Sequence, residues 1–310
     1  MEPRNQALPI GYKLNEYEIR KVLSMGGFSY VYLAHDENKN IVAIKEYLPV
    51  SLALRTSDSY AIEPTSYEST ADFRFGLKCF FEEGRALANI THKNIVRVIN
   101  FFRANDTVYM VMEYERGKSL QDSILEYDGS IPESYIRRIF SELLNGLREV
   151  HSRKMLHLDI KPGNIYIRLD GSPVLLDFGS ARQTFGSNKS KLPPSFTPGF
   201  ASPEQHNDRE LLGPWSDVYS VGATMYACIS RNTPLAADKR KDRDLLVPAK
   251  ILGQGRYGEA FLELVDTCIS LNHLERPQSI LTLQKLLLNE SSSQDKKADL
   301  IYQLKNNLLL

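Results

Sequence analysis

The sequence predicts an α+β fold in which strands come first and helices follow. Five runs rich in β-branched and aromatic residues are predicted as strands, at residues 17–23, 30–34, 41–45, 95–98 and 108–112. The first three are joined by short polar turns, which is typical of an antiparallel meander. Later stretches repeat apolar residues with a helical period, and the longest covers residues 132–152. Strands followed by helices in a chain of 310 residues favour an α+β protein with one large domain or two lobes.

Composition and charge narrow the classes of function. The 38 basic and 38 acidic residues balance, so neither nucleic acid nor a membrane surface is indicated as a partner. Cys79, Cys228 and Cys268 are far apart and form no CxxC pair, which indicates a reducing compartment and no structural zinc. No apolar run approaches the length of a membrane span, and the first ten residues lack a signal-like pattern. These features predict a cytoplasmic protein.

Residues 157–164, with the sequence His-Leu-Asp-Ile-Lys-Pro-Gly-Asn, concentrate polar groups in a predicted loop. Asp159, Lys161 and Asn164 lie in a run with proline and glycine, and Asp177 follows a short apolar run that is typical of a buried strand. Phosphoryl transfer needs a set of two carboxylates, an ammonium and an amide. One carboxylate orients the attacking hydroxyl, an amide and a second carboxylate hold metal, and a cation lies near the transferred phosphate.

The spacing of these residues is similar to the protein-kinase signature HRDxxxxN followed by DFG. The resemblance implies that Asp159 orients the attacking hydroxyl and that Lys161 steadies the γ-phosphate of ATP. It also implies that Asn164 and Asp177 hold Mg²⁺, or Mn²⁺ in its place. Leu158 stands where most kinases carry an arginine that pairs with a phosphorylated activation loop. This departure argues against ordering of the loop by phosphate.

Two further segments extend the resemblance to an upper lobe. Residues 42–45, Val-Ala-Ile-Lys, match the strand whose lysine holds the α- and β-phosphates, which implies that role for Lys45. Glu83, in a predicted helix over residues 72–90, is the glutamate expected to pair with it, because the apolar residues that follow match the family. Burying the charge of a lysine without a partner would lower the stability of the fold. The alternative is that both side chains are ordinary solvated charges.

The remaining ATP-contacting positions follow from the same resemblance. The loop at 24–29 is similar to the kinase glycine-rich loop, but only Gly26 matches a motif glycine, and an ordinary hairpin turn stays the alternative. A second GxGxxG, at 253–258, has no following strand with a lysine, so it is interpreted as a turn before a helix. Residues 113–117 resemble the hinge between lobes. The implied ATP-contacting set is Ser24, Gly26, Ser29, Val31, Ala43, Lys45, Met112, Glu113, Tyr114 and Tyr166.

Residues 196–204 resemble the substrate-docking turn and APE motif of kinases. Thr197 matches the threonine that bonds to the catalytic aspartate and lysine in serine/threonine kinases, and Lys161 points to the same specificity. By the same resemblance, Arg276 is expected to pair with Glu204.

Asp217 resembles the buried aspartate that braces the catalytic loop of kinases. The alternative is a carboxylate at the start of a helix, which the helix dipole favours. The two interpretations are compatible.

Taken together, residues 17–290 resemble a bacterial, eukaryotic-like (Hanks-type) serine/threonine protein kinase. The resemblance implies a bilobal fold with a five-stranded antiparallel N-lobe sheet, an αC helix and a mainly helical C-lobe. The expected organisation is an N-terminal tether at 1–16, an N-lobe at 17–114 with an extended connection at 46–70, a C-lobe at 115–290, and a linker with an amphipathic segment at 291–310.

The implied function is transfer of the γ-phosphate of Mg-ATP to serine or threonine of a protein substrate, with autophosphorylation. Candidate autophosphorylation sites are Ser180, Thr184, Ser187, Ser190 and Ser195. Two other classes stay open: a nucleotide-binding pseudokinase, suggested by Ser24, Ser29 and Leu158, and a small-molecule kinase of the aminoglycoside-phosphotransferase type, which shares a similar aspartate loop. Residues 298–310 either pack on the lower lobe or form a homodimer or docking helix.

Overall fold

The computed structural model describes residues 6–56, 58–178, 182–183 and 196–288. These residues form two compact units. The first contains the described residues up to Thr91 and the segment Val96–Glu115, and the second contains His92–Ile95 and the described residues from Arg116 onwards. The candidate autophosphorylation sites between 180 and 195 and the amphipathic segment at 298–310 lie outside the described residues.

The first unit is a six-stranded sheet with one long helix. In chain order its elements are β1 (Lys13–Leu14), β2 (Tyr17–Met25), β3 (Ser29–His35), β4 (Ile41–Tyr47), β5 (Ala53–Arg55), β6 (Ile62–Pro64), α1 (Tyr67–Ala88), β7 (Val98–Ala104) and β8 (Thr107–Glu113). The sheet order is β1-β2-β3-β4-β8-β7, and every neighbouring pair is antiparallel. Four of the five predicted strands are present at the predicted positions, as β2, β3, β4 and β8. The strand predicted at 95–98 is misplaced: it shares only Val98 with β7, and Ile95 belongs to the second unit.

The sixth strand corrects the prediction of a tether at 1–16. Within its described part, Leu8 and Leu14 are buried, and Lys13–Leu14 pairs with the start of β2. The backbone N–H of Leu8 donates to the hydroxyl of Tyr32 at 3.2 Å. Two apolar side chains in an otherwise polar segment are enough to dock it, because each removes apolar surface from water.

The connection at 46–70 contains a small hairpin, β5–β6, and the start of α1. Ser66 caps the helix: its hydroxyl accepts from the N–H of Ser69, whose own hydroxyl accepts from the N–H of Ser66. This reciprocal cap explains why α1 starts five residues before the predicted helix at 72–90. The buried side chains of the helix include Phe73, Phe80 and Leu87, and the helix packs on β7 and β8.

The second unit is mainly helical. In chain order its elements are β9 (Gly117–Ser119), α2 (Leu120–Glu126), α3 (Glu133–Ser152), β10 (Met155–Leu156), β11 (Ile165–Arg168), β12 (Pro173–Leu175), β13 (Arg182–Gln183), α4 (Pro203–Asn207), α5 (Pro214–Ser230), α6 (Ala237–Arg240), α7 (Ala249–Leu252), α8 (Glu259–Cys268) and α9 (Ile280–Leu288). The predicted turn at 253–258 is confirmed, since it joins α7 to α8. No helix within the described ranges is long and apolar enough to cross a membrane.

Helix α5 lies at the centre of the second unit, where every residue from Ser216 to Ile229 is buried. It is contacted by α3, α7, α8 and α9. Two small sheets, β12-β11-β9 and β10-β13, complete this unit. The loop with Asp159 leaves β10 and enters β11, while Asp177 lies just after β12. The sheets therefore fix both ends of the loop and the start of the segment with Asp177.

Candidate functional site

In the second unit, Asp159 lies at the centre of a cluster of four predicted site residues. The ammonium of Lys161 lies 2.8 Å from Asp159 Oδ2 and donates to Thr197 Oγ1 at 2.6 Å. The hydroxyl of Thr197 in turn donates to Asp159 Oδ1 at 3.0 Å. The amide nitrogen of Asn164 donates to the backbone carbonyl of Asp159 at 2.8 Å and to its Oδ2 at 2.9 Å. The fold thus brings Thr197 to Asp159 from 38 residues away along the chain.

The carboxylate of Asp159 is therefore fixed by three side-chain donors, while 14% of the side chain stays exposed. A carboxylate held in this way has its orientation set before a substrate arrives, which reduces the entropy cost of positioning. Because part of it remains accessible, it can accept a hydrogen bond from an incoming hydroxyl group.

Asp217, at the start of α5, holds the backbone of the same loop. Its Oδ1 accepts from the N–H of Leu158 at 2.8 Å, and its Oδ2 accepts from the N–H of His157 at 2.9 Å and contacts His151 Nε2 at 2.7 Å. Burial would raise the pKa of Asp217, but the hydrogen bond and charge of His151 outweigh it and hold the pKa below its usual value. The predicted brace is confirmed.

The brace also stabilises an unusual backbone conformation next to Asp159. Leu158 has a φ of 63°, in the left-handed region that is unfavourable for a residue with a Cβ atom. Its N–H is held by Asp217, and its carbonyl accepts from Gln205 Nε2 at 2.8 Å. Both backbone groups of Leu158 are thus anchored, which maintains the conformation that presents Asp159.

Replacing Asp217 with asparagine tests this brace. The variant has one acceptor oxygen where the native chain has two, so a buried N–H of His157 or Leu158 loses its partner. We expect the free energy of unfolding to fall by about 1–3 kcal/mol, together with the rate of phosphotransfer. Urea unfolding and a phosphotransfer assay measure the two effects.

Asp266→Asn is the matched control. Asp266 also accepts one backbone N–H on each oxygen, from Ala249 at 2.6 Å and from Lys250 at 3.0 Å, but it does so at the start of α7. We expect this variant to lose stability and to keep the activity of its folded fraction. Equal specific activities for folded Asp217→Asn and Asp266→Asn would contradict a positioning role for Asp217.

Backbone contacts bring the segments of Asn164 and Asp177 together. The N–H of Leu176 donates to the carbonyl of Asn164 at 2.8 Å. The ring of His157 lies between the two segments: Nδ1 accepts from the N–H of Asp159 at 3.2 Å, and Nε2 lies 3.2 Å from the carbonyl of Leu176. Burial lowers the pKa of His157, and the neutral ring supplies the one donor and one acceptor that these contacts need.

Two side chains at this site were not found by sequence reasoning. His157 links the two segments as described, and Gln205 links the loop that contains Asp159 to Ser202. Besides its bond to Leu158, Gln205 accepts from the N–H of Ser202 at 3.0 Å through Oε1. The spacing Ser-x-x-Gln at the start of a helix is a capping pattern and was the available signal. No comparable sequence pattern predicts the bond to Leu158.

The predicted pair between Glu204 and Arg276 is confirmed. The guanidinium donates to both carboxylate oxygens, at 2.8 and 3.2 Å, and the two side chains are almost completely buried. Ser216 Oγ donates to Glu204 Oε1 at 2.7 Å. Burial would raise the pKa of Glu204, but the hydrogen bond and charge of Arg276 outweigh it and lower the pKa. The pair joins α4 to the segment before α9.

In the first unit, strand register places several predicted ATP-contacting residues on one face of the sheet. Lys45 pairs with Val31 on β3 and with Met110 on β8, and Ala43 pairs with Met112. Directly paired residues on neighbouring strands point to the same face, and so do alternate residues along a strand. Val31, Ala43, Lys45 and Met112 therefore share a face.

Lys45 and Glu83 are both buried in the first unit. The ammonium of Lys45 lies 5.6 Å from the ring centroid of Phe80, which is on α1 about one turn before Glu83. Gly84 lies where an added Cβ would meet Met110 at 3.3 Å, so α1 approaches β8 closely at this point. The lysine therefore reaches the part of α1 that carries Glu83, and the pairing of their charges stays a prediction.

The loop at 24–29 forms the turn of the β2–β3 hairpin. Gly26 N–H donates to the carbonyl of Ser29 at 2.9 Å, and Ser24 pairs with Val31 across the strands. Glu113 is the last residue of β8, and Tyr114 follows it. The other predicted adenine contact, Tyr166, lies on β11 in the second unit, where its hydroxyl donates to the carbonyl of Gly117 at 2.8 Å.

The fold of the two units and the cluster around Asp159 indicate a chain of the protein-kinase type, and comparison with known proteins gives the family. The sequence model described as protein kinase domain matches residues 17–287. The chain is 30% identical over 235 residues to "Serine/threonine-protein kinase D" of Synechocystis sp., a match that covers 72% of the chain. It is 31% identical over 231 residues to "Serine/threonine-protein kinase PknA" of Nostoc sp., covering 71%. The chain belongs to the protein kinase domain family.

A solved structure supports the fold. The structure described as "PpkA-294 apo form" is 35% identical in sequence and superimposes with a TM-score of 0.80, covering 91% of this chain and 99% of that one. The predicted bilobal α+β fold is thereby confirmed. The matches to the two bacterial relatives cover only 42% and 38% of those proteins' own lengths.

Proposed function

We propose that this chain is a serine/threonine protein kinase domain that transfers the γ-phosphate of ATP to a serine or threonine hydroxyl. The observation that carries the proposal is the closed set of hydrogen bonds among Asp159, Lys161 and Thr197, to which Asn164 adds its amide. A carboxylate, a cation and an amide within hydrogen-bond reach of one another are the groups that phosphoryl transfer requires. The names of the two bacterial relatives support the same activity.

In this proposal, Asp159 orients the acceptor hydroxyl and takes its proton. The hydroxyl oxygen forms a bond to the γ-phosphorus, the bond from that phosphorus to the β-γ bridging oxygen breaks, and ADP leaves. Lys161, fixed by Asp159 and Thr197, places its positive charge where negative charge develops on the transferred group. Thr197 holds the docking segment against this pair, which favours a peptide as the acceptor.

Asn164 and Asp177 are the proposed ligands of a divalent cation, for which Mg²⁺ and Mn²⁺ both fit. The amide nitrogen of Asn164 is engaged by Asp159, which leaves the amide oxygen as the group for metal binding. An amide oxygen and a carboxylate are hard donors, and Mg²⁺ commonly combines one or two such ligands with substrate phosphates. When bound, the cation would neutralise phosphate charge during transfer.

The first unit supplies the proposed nucleotide contacts. Lys45, paired with Glu83, would bind the α- and β-phosphates, and the loop with Ser24, Gly26 and Ser29 would cover the phosphates. Val31, Ala43, Met112, Glu113 and Tyr114 are the proposed hinge and sheet contacts to adenine. We propose kinase lobes at 17–114 and 115–290.

The test is incubation of the purified chain with labelled Mg-ATP and a serine- and threonine-containing protein acceptor, followed by phosphoamino-acid analysis. We expect phosphoserine or phosphothreonine on the acceptor and on the chain itself, with no label when the cation is chelated. Nucleotide binding without transfer would instead establish the pseudokinase alternative. Transfer only to an aminoglycoside would establish a small-molecule kinase.

A further inference from the structure

The segment that follows Lys45, residues Glu46 to Val50, has contacts that the proposed chemistry does not use. It is the end of β4 and the start of the extended connection. Its side chains and backbone contact three different parts of the first unit: the loop at 24–29, helix α1 and the β5–β6 hairpin.

The backbone of the segment binds the tip of the loop at 24–29. The N–H of Leu48 donates to the carbonyl of Phe28 at 3.0 Å, and the N–H of Val50 donates to the carbonyl of Gly27 at 3.0 Å. These two bonds continue the β3–β4 pairing beyond the last pair, Ser29 with Tyr47. The turn of the β2–β3 hairpin is therefore held from the side by a second stretch of chain.

The ring of Tyr47 binds α1. It contacts Phe73 and Phe80, with ring centroids 5.8 and 5.6 Å away. A Cβ added at Gly76 would lie 1.8 Å from the Tyr47 hydroxyl oxygen, so the hydroxyl end of Tyr47 occupies the space that a side chain at this position of α1 would fill. Tyr47 is two residues from Lys45 on the same strand and therefore shares its face. Through Tyr47, the strand that carries Lys45 packs against the helix that carries Glu83.

The side chain of Glu46 points to the opposite face and is completely buried. Its carboxylate accepts from the hydroxyls of Tyr32 at 2.8 Å and Tyr109 at 2.5 Å, and from the Arg55 guanidinium at 2.5 Å. Arg55 also donates to the carbonyls of Gln6 at 2.7 Å and of Tyr60 at 2.9 Å. A buried carboxylate with three donors fixes the end of β4, since any slip would leave a buried charge without its partners.

We propose that residues Glu46 to Val50 form a positioning element that holds the tip of the loop at 24–29 and helix α1 in fixed places relative to Lys45. The proposal rests on the ATP-binding role assigned above to Lys45 and the loop. Holding the loop in advance lowers the entropy cost of closing it over phosphates. The loop at 24–29 has a single motif glycine. Its contacts with residues Glu46 to Val50 fix its shape, which glycine residues alone would not do because they add backbone freedom.

The test of the loop contact is Val50→Pro, which removes the N–H that donates to Gly27. Val50 follows Pro49 in a turn closed by the N–H of Leu52 and the carbonyl of Pro49 at 2.9 Å, a position where proline is favoured. Val50→Ala is the matched control, because it removes the same half-exposed side chain and keeps the N–H.

In the chain without nucleotide, we expect hydrogen exchange of the Gly26 amide to be about five-fold faster in Val50→Pro than in Val50→Ala. We expect the KM for ATP to rise by about the same factor, with little change in kcat. Equal exchange rates or equal KM values in the two variants would overturn the proposal. If the native chain transfers no phosphate, the proposed function fails, and nucleotide affinity measured by titration replaces KM in this comparison.

The α1 contact is tested by Gly76→Ala in two backgrounds. In the native background the new methyl group collides with Tyr47, and we expect kcat to fall by about ten-fold or more through displacement of Glu83. With Tyr47→Leu already in place, the same substitution should change kcat by less than about two-fold. An equal change in kcat in both backgrounds would show that contact with Tyr47 does not position α1.

Discussion

Replacing Asp159 with asparagine is expected to lower the rate of phosphotransfer by about 10³-fold while leaving the affinity for ATP nearly unchanged. Asparagine is similar in size but cannot take the proton of the acceptor hydroxyl. It also has one acceptor oxygen, where the carboxylate serves Lys161, Asn164 and Thr197. The side-chain amide nitrogen of the Asp159→Asn variant would face one of these three donors and could not accept its hydrogen bond. We therefore expect the variant to lose the orientation of Lys161 as well as the carboxylate proposed to take the proton.

The measurement compares transfer from radiolabelled ATP with nucleotide affinity measured by titration. Asp170→Asn is a suitable control, because Asp170 is an exposed carboxylate whose contacts are to Ser172 in the turn between β11 and β12. It makes the same change of charge in the second unit without touching the cluster around Asp159. We expect native activity for Asp170→Asn. Equal activity of Asp159→Asn and the native chain would reject the proposed role of Asp159 in orienting and deprotonating the acceptor hydroxyl.

The residues around Asp159 could be predicted because most of them lie within one short loop. The spacing of Asp159, Lys161 and Asn164 is set by six residues of chain, and Asp177 follows soon after. Thr197 is distant in sequence, but its surrounding motif is recognisable. The brace from Asp217 was predicted by resemblance, and its contacts with two successive backbone N–H groups confirm it.

The contacts that could not be predicted depend on how separate elements meet. Nothing in the sequence indicates that Gly76 leaves room for Tyr47, because this requires the position of α1 on the sheet. The same holds for Arg55, whose charge is buried against Glu46 only after the β5–β6 hairpin has folded back. The tether prediction failed for a related reason, since two leucines in a polar segment become significant only when a surface for them exists.

Replacing Arg276 with methionine is expected to have the largest effect on stability, lowering the free energy of unfolding at neutral pH by about 3–5 kcal/mol. The substitution leaves Glu204 buried without its cation. It also removes the hydrogen bonds that the guanidinium donates to the backbone carbonyls of Ser270, Leu271 and Trp215. Removing one partner of a buried pair costs more than the pair contributes, because the remaining charge cannot reach water.

The loss of stability in Arg276→Met is expected to depend on pH, because Arg276 sets the pKa of Glu204. In the native chain the pKa of Glu204 is lowered, so its contribution to stability is present above the ordinary value of 4.5 and is lost as pH falls through the lower folded pKa. Without Arg276, we expect burial to become the dominant influence and to raise that pKa, so that the folded variant would hold a proton that the unfolded chain releases near pH 4.5. The difference in stability between native chain and variant should therefore grow as pH rises through this region.

Urea unfolding of native chain and Arg276→Met, at neutral pH and near pH 4, measures this dependence. Arg153→Met is the control, because Arg153 pairs with Glu149 on an exposed surface, with 40% and 35% of their side chains accessible. Such a pair contributes no more than about 1 kcal/mol. We expect a small and nearly pH-independent change for the control. A deficit for Arg276→Met that stays the same at both pH values would mean that the lost packing and carbonyl contacts of Arg276, and not the charge of Glu204, account for its contribution to stability.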